Sequence, residues 1–321
     1  MTPGLVTTII PVFNRPAQLS EAVQSVLDQD YRPIEIIIVD DGSTDETLAV
    51  ARALQQSHPD IVRAISKING GPGLAREHGR QRAQGEFIQY LDSDDVLLPG
   101  KFSAQAAALL HAPEAGVAYG ITLFRDASGE ARPSPHKATG EAIKTMFPRF
   151  LLERWWETAT PLYRASVCEQ AGPWTDLSLE EDWEYDCRVA ALGTRLAYCP
   201  VPVSEHRDHS GGRLSRGDQR DPRRNAMRAR SHELIFGHAT RAGLAGTPEM
   251  QHFARALFLL SRQCGASGLA EQSRRLFALA RQASGGSRSR GVDFRVYGYA
   301  ANLMGWNTMG RLSQWVDGMR Q

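Results

Sequence analysis

Long apolar runs are missing from this chain of 321 residues. None approaches the roughly 18 to 20 residues that a bilayer-crossing helix needs, so no membrane-spanning helix is expected. The N-terminus, MTPGLVTTIIPVF, lacks the basic start and small-residue cleavage site of a signal peptide, and the expected location is cytoplasmic. Cysteine is scarce. Cys168, Cys187, Cys199 and Cys264 show no CxxC or CxxH spacing, which argues against a zinc site and for ordinary reduced thiols. Lysine is absent from residue 207 onward, where every basic residue is arginine. What is present, 42% hydrophobic and 23% charged residues, fits a globular protein with one full core and an extra subdomain, and excludes disordered and fibrous classes.

The net charge of +1 hides an asymmetry: residues 1–206 carry 18 Lys and Arg against 28 Asp and Glu, and residues 207–321 carry 19 against 8. Arg213, Arg216, Arg220, Arg223, Arg224, Arg228 and Arg230 crowd one stretch. Guanidinium prefers planar partners such as phosphate and carboxylate, so an anionic ligand, a lipid headgroup surface and the acidic first part are all open as partners. A solvated helical face is the plainer alternative.

The first part alternates strand and helix. VTTIIPVF (6–13), IEIIIVD (34–40), VRAISK (62–67) and EFIQYLD (86–92) are strand-like runs, with helical periodicity after Pro16, after Ser43 and over about 73–83. This order predicts an α/β fold with a mostly parallel sheet, whose ligands sit beyond the carboxyl ends of the strands. Three polar clusters occupy those ends. Asn14 and Arg15 follow the first strand; Pro16 then suits the first helical position and makes the pair a turn. Asp40 and Asp41 follow the second. In DDGSTDE, Ser43 and Glu46 have capping-box spacing and Gly42 supplies the turn, which leaves the two adjacent acids without a structural task and favours a ligand role.

QYLDSDD (89–95) ends the fourth strand with Asp92, Asp94 and Asp95. Like charges this close repel and resist desolvation, so water or a cation must accompany them. The period-two pair Asp92 and Asp94 shares one side, and hard cations such as Mg2+ or Mn2+ take one or two such carboxylates and complete their shell with water and phosphate.

At this point the chain resembles family 2 of the nucleotide-sugar glycosyltransferases, which have the GT-A fold. The resemblance runs through IIPVFNR (9–15), VDDGSTD (39–45), NGGPGLAREHG (69–79), AQGEFIQYLDSDD (83–95) and LEEDWEYDCRVAALG (179–193) to EHRDHSGGRLS (205–215). It implies a GT-A catalytic domain over 1–216 and an arginine-rich helical region over 217–321. It places Pro11 and Phe13 in the nucleobase pocket, Asp41 on the base, and Arg15 and Arg76 near the nucleotide. Asp92 matches the first acid of the DxD motif and Asp94 the metal-binding acid, with Asp95 in support. Of the ED pair Glu181 and Asp182, the aspartate matches the catalytic base and the glutamate lies at the acceptor. His206 and His209 fall where relatives close over the diphosphate or complete the metal shell; RDH fits better, so His209 is the expected ligand and Arg207 the phosphate contact. Trp155 and Trp156 fall at the acceptor pocket, although adjacent aromatics also serve as core, and EEDWEYDCR also reads as an acidic helix start.

The resemblance thus implies inverting, metal-dependent transfer of a hexosyl or N-acetylhexosaminyl group from a nucleotide-diphosphate sugar, a UDP-sugar favoured, to a saccharide or lipid-linked acceptor. Polysaccharide or glycoconjugate biosynthesis is the expected setting, and no nucleic-acid partner is expected. A nucleotidyltransferase would carry a Gly-rich loop after the first strand, and PVFNRP has none. A processive synthase would need membrane helices and a QxxRW motif after the ED pair, whereas LLERWW precedes it with Leu151 in place of Gln. A catalytically silent sugar-nucleotide-binding scaffold is the alternative of another class. Beyond residue 216, segments 219–243, 249–264 and 269–284 are predicted helical, followed by VDFRVYGYAANLMGWNTMGRLSQWVDGM, which mixes aromatics with small residues. That segment fits core, a partner contact or a membrane surface, and the arginine-rich stretch suits peripheral attachment to anionic lipid.

Overall fold

A computed structural model describes residues 1–132, 134–208, 218, 220–285 and 292–319. His209, Arg213 and Arg216 lie outside the described residues. The chain divides into two compact units.

The first unit comprises Met1–Met146, Arg154–Asp176 and Leu192–Gly211. Its order is β1 (Thr2–Val12), α1 (Pro16–Leu27), β2 (Ile34–Asp40), α2 (Thr47–Ser57), β3 (Val62–Ser66), α3 (Pro72–Arg80), β4 (Gly85–Tyr90), β5 (Val96–Leu97), α4 (Lys101–His111), β6 (Ala115–Arg125), β7 (Ala131–Arg132), β8 (Leu162–Arg164), α5 (Ala165–Ala171) and β9 (Arg195–Arg207). The second unit comprises Phe147–Glu153, Leu177–Ala191 and Gly212–Gln321. It holds α6 (Glu181–Ala191), α7 (Pro222–Arg241), α8 (Pro248–Ala266), α9 (Ala270–Ala283), α10 (Val292–Met304) and α11 (Trp306–Gly318).

One nine-stranded sheet runs β3-β2-β1-β4-β8-β6-β9-β5, with β7 beside β6. The expected α/β fold is present. The four strands read from the sequence form its parallel half, in the order β3-β2-β1-β4. Beyond β4 the sheet becomes mixed, because β8 enters antiparallel to both β4 and β6. From Leu5 to Val12, β1 is buried without a break, as suits a strand covered on both faces. Val6, Ile10, Ile36, Ile38, Phe87 and Leu91 join Leu19, Val23 and Phe102 from α1 and α4 in one core. Each such side chain contributes about 1.5–3 kcal/mol on burial.

Chain order fixes where a ligand can sit. Because β2 and β4 flank β1 on opposite sides, the connections leave the ends of β1 and β4 in opposite directions and open a crevice there. Arg15 follows β1 and Asp92 follows β4, so both polar clusters border it.

The helices of the second unit start where their sequences say. Asp221 accepts from the Arg223 N–H at 2.8 Å ahead of Pro222, and Thr247 Oγ1 accepts from the Met250 N–H at 3.2 Å ahead of Pro248. The final aromatic segment forms α10 and α11. Phe294 and Tyr297 of α10 pack against Phe258 and Phe277, and α11 lies on α8 so closely that a Cβ at Gly310 would stand 2.3 Å from the Ala266 nitrogen. No helix among the described residues is long and apolar enough to cross a membrane.

The capping box expected in DDGSTDE does not form. α2 begins at Thr47, with Asp45 accepting from the Thr47 N–H at 2.9 Å. Ser43 is used elsewhere, its Oγ accepting from the Asn14 N–H at 3.0 Å, while the Thr44 N–H donates to Asn14 Oδ1 at 2.8 Å. These bonds hold Asn14 at a φ of 52° and tie the loop after β1 to the loop after β2. Local spacing favoured a helix cap, and a contact 29 residues away in sequence took the serine instead.

Candidate functional site

Asp40 and Asp41 do have structural tasks, contrary to the expectation from sequence. Asp40 accepts from the Ser43 N–H at 3.3 Å and from Ser66 Oγ at 2.9 Å. Asp41 accepts from the Gly70 and Gly71 N–H groups at 3.0 and 2.7 Å, and Lys67 Nζ lies 2.5 Å away. Two glycine N–H groups and an ammonium are what a buried carboxylate requires. Asp41 thereby shapes the turn that leads into α3. Pro11 is buried within β1, whereas Phe13 just beyond it is 44% exposed and offers an aromatic face at the crevice.

The three carboxylates after β4 each meet different partners. Asp92 receives Arg76 Nη2 at 2.6 Å. Arg76 is only 2% exposed, and its guanidinium lies 4.8 Å from the centroid of the Trp174 ring, so the cation is stacked and paired at once. Trp174, 98 positions on in the chain, covers this helix arginine. Asp94 pairs with Arg15 across the crevice. Asp95 is 3% exposed, accepts from the Arg207 N–H at 3.2 Å and has His206 Nδ1 at 3.0 Å. Burial pushes the Asp95 carboxyl up to about 6; His206 pulls the other way, and the charges of Asp94 and Asp92 add to the rise. The sequence calls for water or a cation among these acids, and Arg15 and Arg76 bring positive charge to two of them.

Beside the acids is an open cleft of about 250 Å3, lined in part by Gln18, Glu21, Asp94, Asp95, Arg125 and Arg207. Its arginines are oriented by Glu205, which receives Arg125 through two nitrogens at 2.7 and 2.8 Å and Arg207 Nε at 3.1 Å. Those hydrogen bonds, that of Arg125 first, hold the Glu205 carboxyl below its usual range although burial opposes them. Arg207 Nη1 also pairs with Glu21.

His206 continues inward to a cluster that the sequence did not disclose. Its ring stacks on His136 at 5.4 Å between centroids and an interplanar angle of 11°, and His136 Nε2 lies 3.0 Å from Glu157. Ligand atoms of His136, Glu157 and His206 fall within 4.8 Å of one another. Lys137 Nζ stands 2.9 Å and Arg154 Nη1 3.7 Å from the same carboxylate, so a dication would have to displace protein cations already in place. Burial raises the Glu157 carboxyl, but the His136 bond and the charges of Lys137, His206 and Arg154 outweigh it and hold it well below the usual range. Trp156, next to this cluster, is fully buried and packs on Tyr119 at 5.3 Å, and Trp155 is buried as well. Both tryptophans are core in this arrangement.

In the second unit, Glu181 and Asp182 open α6, and Asp182 Oδ1 accepts from the Trp183 N–H at 2.7 Å. Glu181 is buried and Asp182 half-buried. The residue before them, Glu180, sits in the left-handed region at a φ of 59°, a conformation that a non-glycine residue keeps only when its surroundings impose it. Here α7 does so. Arg228 Nε lies 3.0 Å and His232 Nδ1 3.1 Å from the Glu180 carboxylate, and Ser231 Oγ donates to the Glu180 carbonyl at 3.4 Å. One turn further along α6, Glu184 takes His238 Nε2 at 2.7 Å and Arg188 Nη2 at 2.7 Å. Burial raises both carboxyls, yet their histidine and arginine partners prevail and keep them below the usual range. The arginine-rich stretch therefore supplies at least one intramolecular partner, in Arg228. No sequence signal joins Glu180 to residues 48 positions away.

Residues 7–166 match the model of the family "Glycosyl transferase family 2". A curated relative, the GalNAc(5)-diNAcBac-PP-undecaprenol beta-1,3-glucosyltransferase of Campylobacter jejuni, is 38% identical over 98 residues, 30% of this chain and 32% of its own length. The chain spans between 14% and 44% of the length of such curated relatives. Among solved structures, S. aureus TarS 1–349 in complex with UDP-GlcNAc superposes with a TM-score of 0.68 at 19% identity, over 97% of this chain and 91% of that one. The mannosyltransferase PcManGT of Pyrobaculum calidifontis, in complex with GDP-Man and Mn2+, gives 0.54 at 19% identity over 95% and 83%. The fold is thus the GT-A fold, and the chain belongs to glycosyl transferase family 2.

Proposed function

We propose that the chain transfers a sugar with inversion from a nucleoside-diphosphate sugar to an acceptor hydroxyl, in polysaccharide or glycoconjugate synthesis. The observation that supports this most is the crevice between β1 and β4, where Asp92, Asp94 and Asp95 meet Arg15, Arg76 and the N–H of Arg207 beside an exposed Phe13. Phe13 stacks on the nucleobase with Pro11 behind it, and Asp41 orients the base. Arg15, Arg76 and Arg207 serve the nucleotide and its phosphates, for which guanidinium is suited. A UDP-sugar, hexosyl or N-acetylhexosaminyl, is the favoured donor, in keeping with the UDP-GlcNAc bound to TarS.

Asp92 and Asp94 offer hard carboxylate oxygens without a thiolate, a donor set that fits Mg2+ or Mn2+. Asp94 would hold the cation, supported by Asp95, and His209 would be its imidazole ligand. When bound, such a cation neutralises negative charge on the diphosphate. Asp182 removes the proton of the acceptor hydroxyl; the oxygen bonds to the anomeric carbon from the face opposite the nucleotide, and the bond to the diphosphate breaks. One direct displacement inverts the configuration. Glu181 serves the acceptor, a saccharide or a lipid-linked one. The catalytic part falls within residues 1–216 and acts on the cytoplasmic side, with 217–321 as its helical extension.

Calorimetric titration with UDP, GDP, dTDP and CDP, with and without Mn2+, tests the reading. Binding of one nucleotide that depends on metal and is lost in Asp94→Ala is the expected result. A protein that binds none of the four and transfers no sugar would be a silent scaffold.

A further inference from the structure

The last two helices each turn one face into the unit and leave large apolar residues exposed on the opposite face. On α10 the stripe Phe294, Tyr297 and Ala301 is buried, while Val296, Tyr299 and Leu303, at the same helical spacing, are between 58% and 70% exposed. On α11, Gly310 and Ser313 are turned into the unit, whereas Leu312, Trp315 and Met319 are exposed, the last two at 62% and 61%. Both exposed stripes have the i, i+3, i+7 spacing of one helix face. Large side chains left in water on both of two consecutive helices mark an interaction surface.

The charge of the C-terminal region selects the occupant of this surface. Residues 222–321 contain 15 arginines, no lysine and five acids. Arg295 and Arg311 are exposed, and each immediately precedes the first residue of a stripe. Asp317, one of the few acids, is already paired with Arg262 at 2.5 Å. A second copy of the chain would bring the same arginine excess against itself, so self-association is opposed by charge. Tyrosine and tryptophan at the water boundary, aliphatic residues beside them and arginine at the margin are the composition of a helix lying in the headgroup region. Each helix has 13 residues, about 20 Å at 1.5 Å per residue, too short to cross a bilayer but long enough to lie along one.

We propose that the exposed faces of α10 and α11 bind the surface of a bilayer rich in anionic phospholipid. The proposal names the residues of a contact surface and does not depend on the transferase reading, since vesicle binding is measured without donor or acceptor. Its test is co-sedimentation of the full chain with vesicles of phosphatidylglycerol and phosphatidylcholine, beside vesicles of phosphatidylcholine alone. At low salt the anionic vesicles should bind at least about tenfold more tightly, and added salt should weaken binding. The quadruple variant Tyr299→Ser, Leu303→Ser, Trp315→Ser, Met319→Ser should lose at least about tenfold in binding at an unchanged melting temperature, because all four side chains are exposed. Should that variant misfold, the pair Arg295→Glu, Arg311→Glu must lower binding to anionic vesicles alone. Absence of binding at low salt, or full binding by a folded quadruple variant and by the glutamate pair, overturns the proposal. So does a dimer in light scattering that the quadruple variant dissolves, for this face would then join two copies.

Discussion

Two acidic clusters in this molecule look alike in sequence and differ in kind. The acids after β4 and the acids around the start of α6 are both runs of carboxylates that burial and mutual repulsion would make costly. At the start of α6 the partners are fixed: Glu184 and His238 are 1% and 8% exposed, and Glu180 is held by two residues from α7. After β4 the pair Arg15 and Asp94 is 25% and 15% exposed and borders an open crevice. Partners of the first kind hold a backbone in place, and partners of the second kind can be exchanged for a ligand. Exposure of the counter-charge does not by itself separate the two, since Arg228 beside Glu180 is 31% exposed and Arg15 25%; a border on the open cleft, which Asp94 has, does.

The comparison is sharpened most by Asp182, which the α6 cluster supports without sealing. Asp182→Asn should leave nucleotide binding intact and reduce transfer by at least ~10²-fold, measured as turnover beside calorimetry. Unimpaired turnover would remove Asp182 from the mechanism. Next is Asp94→Ala, which should lower metal-dependent nucleotide affinity by about tenfold or more, a loss of about 1.4 kcal/mol, while the melting temperature barely changes. A large drop in melting temperature would mean that the strand-end acids are scaffold after all.

The third test addresses the α7 contacts. Arg228→Ala leaves the Glu180 carboxylate with His232 as its side-chain partner among the described residues and should cost about 1–3 kcal/mol in urea denaturation. It should also lower turnover more than nucleotide affinity, because the strained residue it steadies immediately precedes Glu181 and Asp182. Glu180→Gln keeps hydrogen-bonding capacity and should preserve most of both. Equal damage from the two substitutions would contradict a positioning role for the pair.

The smallest expected effect concerns pH. Asp95 has a folded-state value near 6, above the ordinary 3.8, so between those values the native state binds more protons than the unfolded one. Stability from this residue is fully present below the lower value and declines as pH rises through 6. Melting curves from pH 4 to pH 8 should carry this decline, and Asp95→Asn should flatten it. An unchanged slope would show that His206 and Arg207 compensate for the ionised carboxylate.

Much of the fold was legible in sequence because its signals are local. The runs 34–40 and 86–92 fall on β2 and β4 within two residues at each end, and Pro16, Pro222 and Pro248 each open a helix. β8 and β5, three and two residues long, were not legible, since strands so short carry no period and owe their existence to partners supplied by the rest of the sheet. The site divides in the same way. Asp92, Asp94 and Asp95 stood out as a run, but Trp174 over Arg76, His136 with Glu157, and Arg228 with Glu180 are contacts made at 21 to 98 residues of separation. DDGSTDE failed as a helix start for a related reason: tertiary contacts with Asn14 outbid the local cap.

Gly310 has a practical meaning. Where α11 crosses α8, a single added carbon has nowhere to go, because the obstacle is backbone and cannot rotate away. Gly310→Ala is therefore a one-methyl wedge that loosens the terminal helix without altering a charge or an exposed side chain, a clean means of uncoupling whatever that helix touches from the chemistry carried elsewhere in the chain.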